Sequence, residues 1–279
     1  MKKYHVLYNP HAGCGTGEAE AKKLEETLGE IALTDMTKIE DYAQFFSQLN
    51  DDEEVVVCGG DGTLNCFVNQ AGEAAQTKAV SYYACGSGND FMREVQTEAG
   101  KTVALNEYIK NLPTVTVNNK TYRFINGIGF GIDGYCCEEG DKLRAKTSKP
   151  INYTGIAIKG LLFRYKPTDA TVIVDGKEYH FKKVWLAPTM NGKYYGGGMI
   201  PTPEQNRNDD TLSVMIFHGT GKLKSLMIFP SIFKGEHVKH TKHITVLSGK
   251  EITVRYDSPR ALQIDGETIS GVTEYTARK

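Results

Sequence analysis

Residues Cys58-Gly59-Gly60-Asp61-Gly62-Thr63-Leu64-Asn65 constrain this chain more than any other stretch. They follow an apolar β-branched run, Val55 to Val57, and open a helical pattern carried by Leu64, Phe67, Val68 and Ala71. A strand that stops at consecutive glycines and restarts as a helix is a phosphate-binding layout. No Cβ stands between the main-chain N–H groups and an anion, and the helix start carries partial positive charge. Asp61 would repel phosphate directly, so its expected task is to hold a hydrated Mg²⁺ that neutralises the phosphates. The plainer alternative is a tight turn with Asp61 as helix N-cap.

Two further segments weigh against the plainer alternative. Asn9-Pro10-His11-Ala12-Gly13 follows a short apolar strand and precedes a helix whose apolar face reads Ala21, Leu24 and Leu28. Gly86-Ser87-Gly88-Asn89-Asp90-Phe91 follows a third strand, Ala79 to Cys85. Three strand ends bearing Gly with Asn, Asp or Ser would converge at the carboxyl edge of one parallel sheet, where α/β folds place ligands.

These blocks resemble the diacylglycerol kinase catalytic family, which includes bacterial lipid kinases and the sphingosine kinases. The resemblance rests on N-P-x-A-G (Asn9 to Gly13), G-G-D-G-T-x-N (Gly59 to Asn65), G-S-G-N-D-F (Gly86 to Phe91) and I-G-F-G-I-D (Ile128 to Asp133). It continues through N-G-x-Y-Y-G-G-G-M (Asn191 to Met199), D-D-x-L (Asp209 to Leu212) and D-G-E (Asp265 to Glu267), in the family's order and over nearly the whole chain. It implies an α/β nucleotide-binding domain of phosphofructokinase and NAD-kinase type, a C-terminal antiparallel β-sandwich, and an active site in the cleft between them.

The residues support that division. At 279 residues the chain exceeds the usual single-core size. Strand and helix alternate over residues 1–111, with strands near 4–8, 54–58 and 79–85 and helices near 17–30, 39–49, 62–72 and 101–110, which predicts a parallel α/β domain. Over 112–279 the pattern becomes short strands with hairpin turns at Asn118-Asn119-Lys120 and Asp175-Gly176, with helices inserted near 151–165 and 222–233. The given chain stops at Ala277-Arg278-Lys279, so the family's return segment to the first domain is expected to be shortened. A formal charge of −1 argues against a nucleic-acid partner. The start has no signal-type apolar region and no stretch approaches bilayer length, so the expected location is cytoplasmic, with peripheral contact to a membrane. Six cysteines without a C-x-x-C pair read as small thiols in a reducing compartment. A homodimer through exposed strands is compatible with the sequence, though no specific residue supports it.

By resemblance, Asn9, Pro10, His11, Ala12, Gly13, Gly59, Gly60, Asp61, Gly62, Thr63, Leu64, Asn65 and Ser87 contact ATP, with Thr34 a further candidate. Asn89 and Asp90 would position phosphate or metal, or cap the helix that follows. Phosphoryl transfer to a hydroxyl needs alignment, charge neutralisation and a nearby carboxylate base. Asp265-Gly266-Glu267 offers two acids at a strand end, and the family's catalytic carboxylate lies in this block; Asp265 and Glu267 both stay open as the base, and Asp61 joins them as the third catalytic candidate.

Gram-positive members carry a structural Mg²⁺ site built from acids and a backbone carbonyl. Asp210 and the Leu212 carbonyl match it, and Asp209 could substitute for a missing acid, but Arg207 stands at an acidic position and cannot ligate a metal. His237, His240 and His243 lack a completing ligand for a tetrahedral site. Lys142, Arg144, Lys146 and Lys149 precede an apolar stretch from Ile156 to Phe163; this reads as a solvated loop and core helix, or as a contact with anionic lipid. The expectation is an ATP- and Mg²⁺-dependent kinase acting on a lipid hydroxyl at a membrane surface, diacylglycerol first. The rivals are an NAD kinase, although Asn106-Glu107 falls in a helix rather than a site loop, and a nucleotide-binding regulator without turnover.

Overall fold

The computed structural model describes residues 3–12, 15–86, 88–95, 100–146 and 151–279. The chain divides into two compact units, Met1–Leu112 and Pro113–Lys279.

In the first unit, strands β1 (Lys3–Tyr8), β2 (Ile31–Asp35), β3 (Glu53–Gly59) and β4 (Val80–Ala84) run parallel in the order β2-β1-β3-β4, and β5 (Thr102–Ala104) adds an antiparallel edge. The central strand β3 is apolar along almost its whole length because helices cover both faces of such a sheet. Helix α1 (Gly17–Lys22) buries Ala21, and Leu24, which caps the start of α2 (Glu25–Leu28), is buried with it beside Val6 and Val56. Helices α3 (Tyr42–Ser47) and α4 (Asp61–Ala71) meet through Tyr42, Phe46 and Phe67. The helix expected from residue 39 begins at Tyr42, because Asp41 caps it by accepting the Gln44 N–H at 3.0 Å. Helix α5 (Asp90–Val95) follows the third loop. The helix expected over 101–110 is instead β5 followed by one turn, α6 (Asn106–Ile109), since Thr102 and Val103 extend the sheet edge against Tyr83 and Tyr82.

In the second unit, ten strands among the described residues form one antiparallel network that wraps into a sandwich around Phe130, Val172, Val214, Val254, Leu262 and Tyr275. They are β6 (Thr114–Val117), β7 (Lys120–Arg123), β8 (Gly127–Phe130), β9 (Thr168–Val174), β10 (Lys177–Val184), β11 (Thr189–Met190), β12 (Leu212–Phe217), β13 (Ile244–Gly249), β14 (Glu251–Ile264) and β15 (Glu267–Arg278). The β6–β7 hairpin turns on Asn118 and Asn119, both at positive φ as a two-residue turn demands. A second apolar layer is formed by helices α7 (Ile132–Arg144), α8 (Tyr153–Lys159) with the turn Gly160–Arg164 that follows it, and α9 (Lys222–Ile228), which bury Ile132, Leu161 and Ile228 around Trp185. The architecture is α/β followed by an antiparallel β-sandwich, as expected. His237 packs inside this unit with its Nε2 on the Pro201 carbonyl at 2.8 Å, and burial lowers its pKa.

Candidate functional site

Parallel register brings the first unit's three loops to one sheet edge. Tyr8 lies opposite Cys58, Cys58 opposite Tyr83, and Gly59 opposite Ala84, so Asn9, Gly60 and Gly86 leave the sheet side by side. The second and third loops touch through their backbones: a Cβ on Gly86 would stand 2.5 Å from the Gly60 Cα. Only glycine permits that approach. The Asp61 carboxylate then bridges the loops, accepting the Asp90 N–H at 3.0 Å and the Phe91 N–H at 3.1 Å. Asp61 therefore caps α5 rather than its own helix.

Asn89, at positive φ, pins its loop by accepting the Gly86 N–H at 3.0 Å and donating to the Gly86 carbonyl at 2.7 Å. Asp90 is buried, with the Arg93 guanidinium 3.6 Å away. Asn9 shapes the first loop by accepting the His11 N–H at 2.9 Å, and Pro10 and Ala12 lie half-buried in that turn while His11 is exposed. Thr63, Leu64 and Asn65 are buried in the first turns of α4, Gly59 ends β3, and Gly62 is half-buried. Thr34 sits at the carboxyl end of β2 opposite Leu7, beside the first loop. Gly13 and Ser87 lie outside the described residues, as does Cys14.

The second unit joins three more motifs. Strands β8 and β14 pair Gln263 with Gly129 and Ile264 with Ile128, which sets the D-G-E turn next to the segment entering β8. The Asp265 carboxylate is buried and accepts three backbone N–H groups, from Ile125 at 2.6 Å and from Asn126 and Gly127 at 2.9 Å each. Asp265 is thus an internal anion clamping a glycine-containing segment. Glu267 opens β15 at the surface of the unit, its carboxylate within reach of Asp141 and Arg144. Surrounding protein, and then the Asp141 carboxylate, push its pKa above the ordinary range while Arg144 pulls it down.

Asp133 was not singled out as a site residue, although it ends the I-G-F-G-I-D block. It is buried, accepts the Gly134 N–H at 2.9 Å and the Tyr195 hydroxyl at 3.2 Å, and burial pushes its pKa up to about 7. Its side chain and that of Gln263 lie over Gly129, where a Cβ would stand 1.8 Å from Asp133 Oδ2. The available signal was an acid following G-F-G in a chain already rich in site motifs; missing it followed from leaving α7 unpredicted, because Gly134 and Gly140 weaken the helical pattern.

The residues matching the structural Mg²⁺ site do not fit a cation. Asp210 is exposed and pairs with the Lys250 ammonium at 2.7 Å. Arg207 is buried, donating from Nη1 to the Ile125 carbonyl at 3.3 Å and from Nη2 to Asn126 Oδ1 at 3.2 Å. Lys279 Nζ donates to the Arg207 carbonyl at 2.8 Å and to Asn191 Oδ1 at 2.7 Å. The Gln205 amide donates to the Asn206 and Thr211 carbonyls at 3.0 and 3.1 Å. Asp209 turns back on the loop, its N–H on the Asn206 carbonyl, and Leu212 enters β12 opposite Gly249. Side-chain donors thus occupy the Asn206, Arg207 and Thr211 carbonyls of this loop. Among the described residues no three His, Cys, Asp or Glu side chains are grouped to hold a metal.

Comparison with known proteins matches both units of the chain. The diacylglycerol kinase catalytic domain model matches residues 3–117, and the YegS C-terminal NAD kinase beta sandwich-like domain model matches residues 126–277. The chain belongs to the diacylglycerol kinase catalytic family of lipid kinases. It is 27% identical over 195 residues to a diacylglycerol kinase of Mycobacterium tuberculosis, a match spanning 67% of this chain but 62% of that relative's length. It is 24% identical over 281 residues to the diacylglycerol kinase of Bacillus subtilis, covering 96% of this chain and 90% of the relative. A diacylglycerol kinase crystal structure from Bacillus anthracis shares the fold, with TM-score 0.61 and 18% identity, over 100% of this chain and 94% of that one. No helix among the described residues is long and apolar enough to cross a membrane.

Proposed function

We propose that this chain transfers the γ-phosphoryl group of ATP to a lipid hydroxyl in a Mg²⁺-dependent reaction, with diacylglycerol as acceptor and phosphatidic acid as product. The observation that carries the reading is the set of three glycine-bearing loops at one sheet edge, two of them in backbone contact and tied by Asp61. Main-chain amides of Gly59 to Asn65, with the turn from Asn9 to Gly13 and with Thr34, Ser87, Asn89 and Asp90, are assigned to the nucleotide. Bound Mg²⁺ would neutralise the phosphates, and Asp61 is the carboxylate assigned to hold it.

In the second unit the two acids of the D-G-E turn take different tasks. Asp265, with three N–H donors on its carboxylate, is held as an anion and positions the turn. Glu267, whose pKa is raised, is assigned as the base that takes the acceptor hydroxyl's proton while that oxygen attacks the γ-phosphorus and ADP leaves. The NAD kinase reading is disfavoured by Asn106, whose amide is spent on the Val80 N–H and on the Ala75 and Lys78 carbonyls.

The test is transfer of labelled γ-phosphate from Mg-ATP, in parallel, to diacylglycerol in anionic mixed micelles, to other lipid alcohols and to NAD. Labelled phosphatidic acid is the expected product; label in another lipid would reassign the acceptor. Label in NAD alone, or ATP binding without product, would overturn the reading.

A further inference from the structure

We propose that the outer face of the layer formed by α8 and α9 docks on an anionic lipid bilayer, an inference that rests on the lipid-kinase reading. The layer has a satisfied inner side. Leu161, Ile228 and Ile232 are buried around Trp185. The Lys222 ammonium donates to the Leu162 carbonyl at 2.8 Å, fastening α9 to the turn Gly160–Arg164 that follows α8.

The outer side carries large apolar groups in water. Phe163 is 74% exposed, and Leu223 and Met227, one helical turn apart on the same face of α9, are 75% and 80% exposed. Single exposed apolar residues are ordinary, but three of this size on two fastened elements form a surface that gains by leaving water. The charge within the two stretches that carry these side chains has one sign. Residues 151–168 contain Lys159, Arg164 and Lys166, residues 219–235 contain Lys222, Lys224 and Lys234, and neither stretch contains Asp or Glu. Six cations within these stretches, against Asp169 and Glu236 just beyond them and Glu138 in the groove shared with Arg164 and Lys166, leave a local cationic surplus in a chain of net charge −1. Exposed apolar side chains interspersed with cations along the same elements match an anionic bilayer: the Phe163 ring, the Leu223 side chain and the Met227 thioether enter the acyl boundary while the ammonium and guanidinium groups stay among the headgroups. A second copy of the chain would bring the same six cations against these, and two-fold symmetry would make them repel.

The experiment is sedimentation of the full chain with phosphatidylcholine vesicles, with and without phosphatidylglycerol, alongside phosphorylation of a short-chain, water-soluble diacylglycerol. The expected result is binding to the phosphatidylglycerol-containing vesicles that weakens as salt rises. The double substitution Leu223→Ser with Met227→Ser should weaken binding at least about tenfold, and leave phosphorylation of the short-chain acceptor unchanged. Equal binding by wild type and variant, or no preference for the anionic vesicles, overturns the docking assignment. A dimer that the same substitutions dissolve, with vesicle binding intact, overturns it in favour of self-association. Phosphorylation of the short-chain acceptor without vesicle binding removes the docking surface alone, whereas vesicle binding without phosphorylation of any lipid alcohol removes the kinase reading on which its purpose rests.

Discussion

Two glycine-rich segments that adjoin strands treat anions in opposite ways. In the first unit, Gly59 to Thr63 and Gly86 to Asp90 bring main chain to main chain at a sheet edge, and the carboxylate of Asp61 stitches the loops from the side. In the second, the segment Ile125 to Gly127 receives its anion from within the protein, because Asp265 takes three of its amides. The same physical device, clustered N–H groups, is assigned in one place to a ligand and used in the other to fix a turn. Glycine in a motif therefore reports close backbone approach, and what approaches must be found from the neighbouring side chains.

Substitutions that remove each anion separate the two uses. Asp61→Ala should lower kcat about 100- to 1000-fold, measured as γ-phosphate transfer, while ATP-independent folding of the second unit is preserved; full activity in that variant would remove the phosphate-loop assignment. Asp265→Ala leaves buried amides without an acceptor and should cost about 3 kcal/mol of stability, read as a lowered denaturant midpoint. If it unfolds at the wild-type midpoint, the clamp is not needed.

Asp133 gives a smaller, pH-dependent effect. Its carboxyl is held near 7 in the fold against an ordinary value of 3.8, so the folded chain keeps a proton there that the unfolded chain gives up. That contribution to stability is present below about pH 4 and is lost as pH climbs toward 7, a decline of about 2–4 kcal/mol. Asp133→Asn should flatten the decline in urea titrations taken at successive pH values, and an unchanged slope would show that another group is responsible. The smallest effect expected is from metal removal. Because Lys279 and Gln205 donate to carbonyls of the loop that a structural Mg²⁺ would organise, and Arg207 ties that loop to Asn126, EDTA in the absence of nucleotide should leave the second unit's melting temperature unchanged. A drop restored by Mg²⁺ would place a cation there after all.

Much of the fold was legible because its periodicities are local. Val55 to Val57 before the double glycine, the Asn118-Asn119 turn and the Asp175-Gly176 turn each name their structure within a few residues. The edge strand β5 and the helix α7 were not, since the first is decided by pairing with Tyr82 and Tyr83 and the second by packing that overrides two glycines. At the candidate site, the motifs pointed to strand ends that the register does bring side by side, but not to partners. That Asp61 reaches the amides of residues 90 and 91, or that Asp265 reaches back about 140 positions to Ile125, depends on strand order that no short motif encodes. Arg207 was informative in another sense: a permanent cation at an acidic position is a donor, and its guanidinium does tie the loop to the Ile125 carbonyl and Asn126 Oδ1.

The most direct test of the central claim is a side-by-side measurement of γ-phosphate transfer from Mg-ATP to diacylglycerol by the wild-type chain, Asp61→Ala and Glu267→Gln. The account requires labelled phosphatidic acid from the wild type, and its loss in both variants with the fold retained. Wild-type enzyme that binds Mg-ATP yet labels no lipid, or a Glu267→Gln variant as active as the wild type, would contradict it.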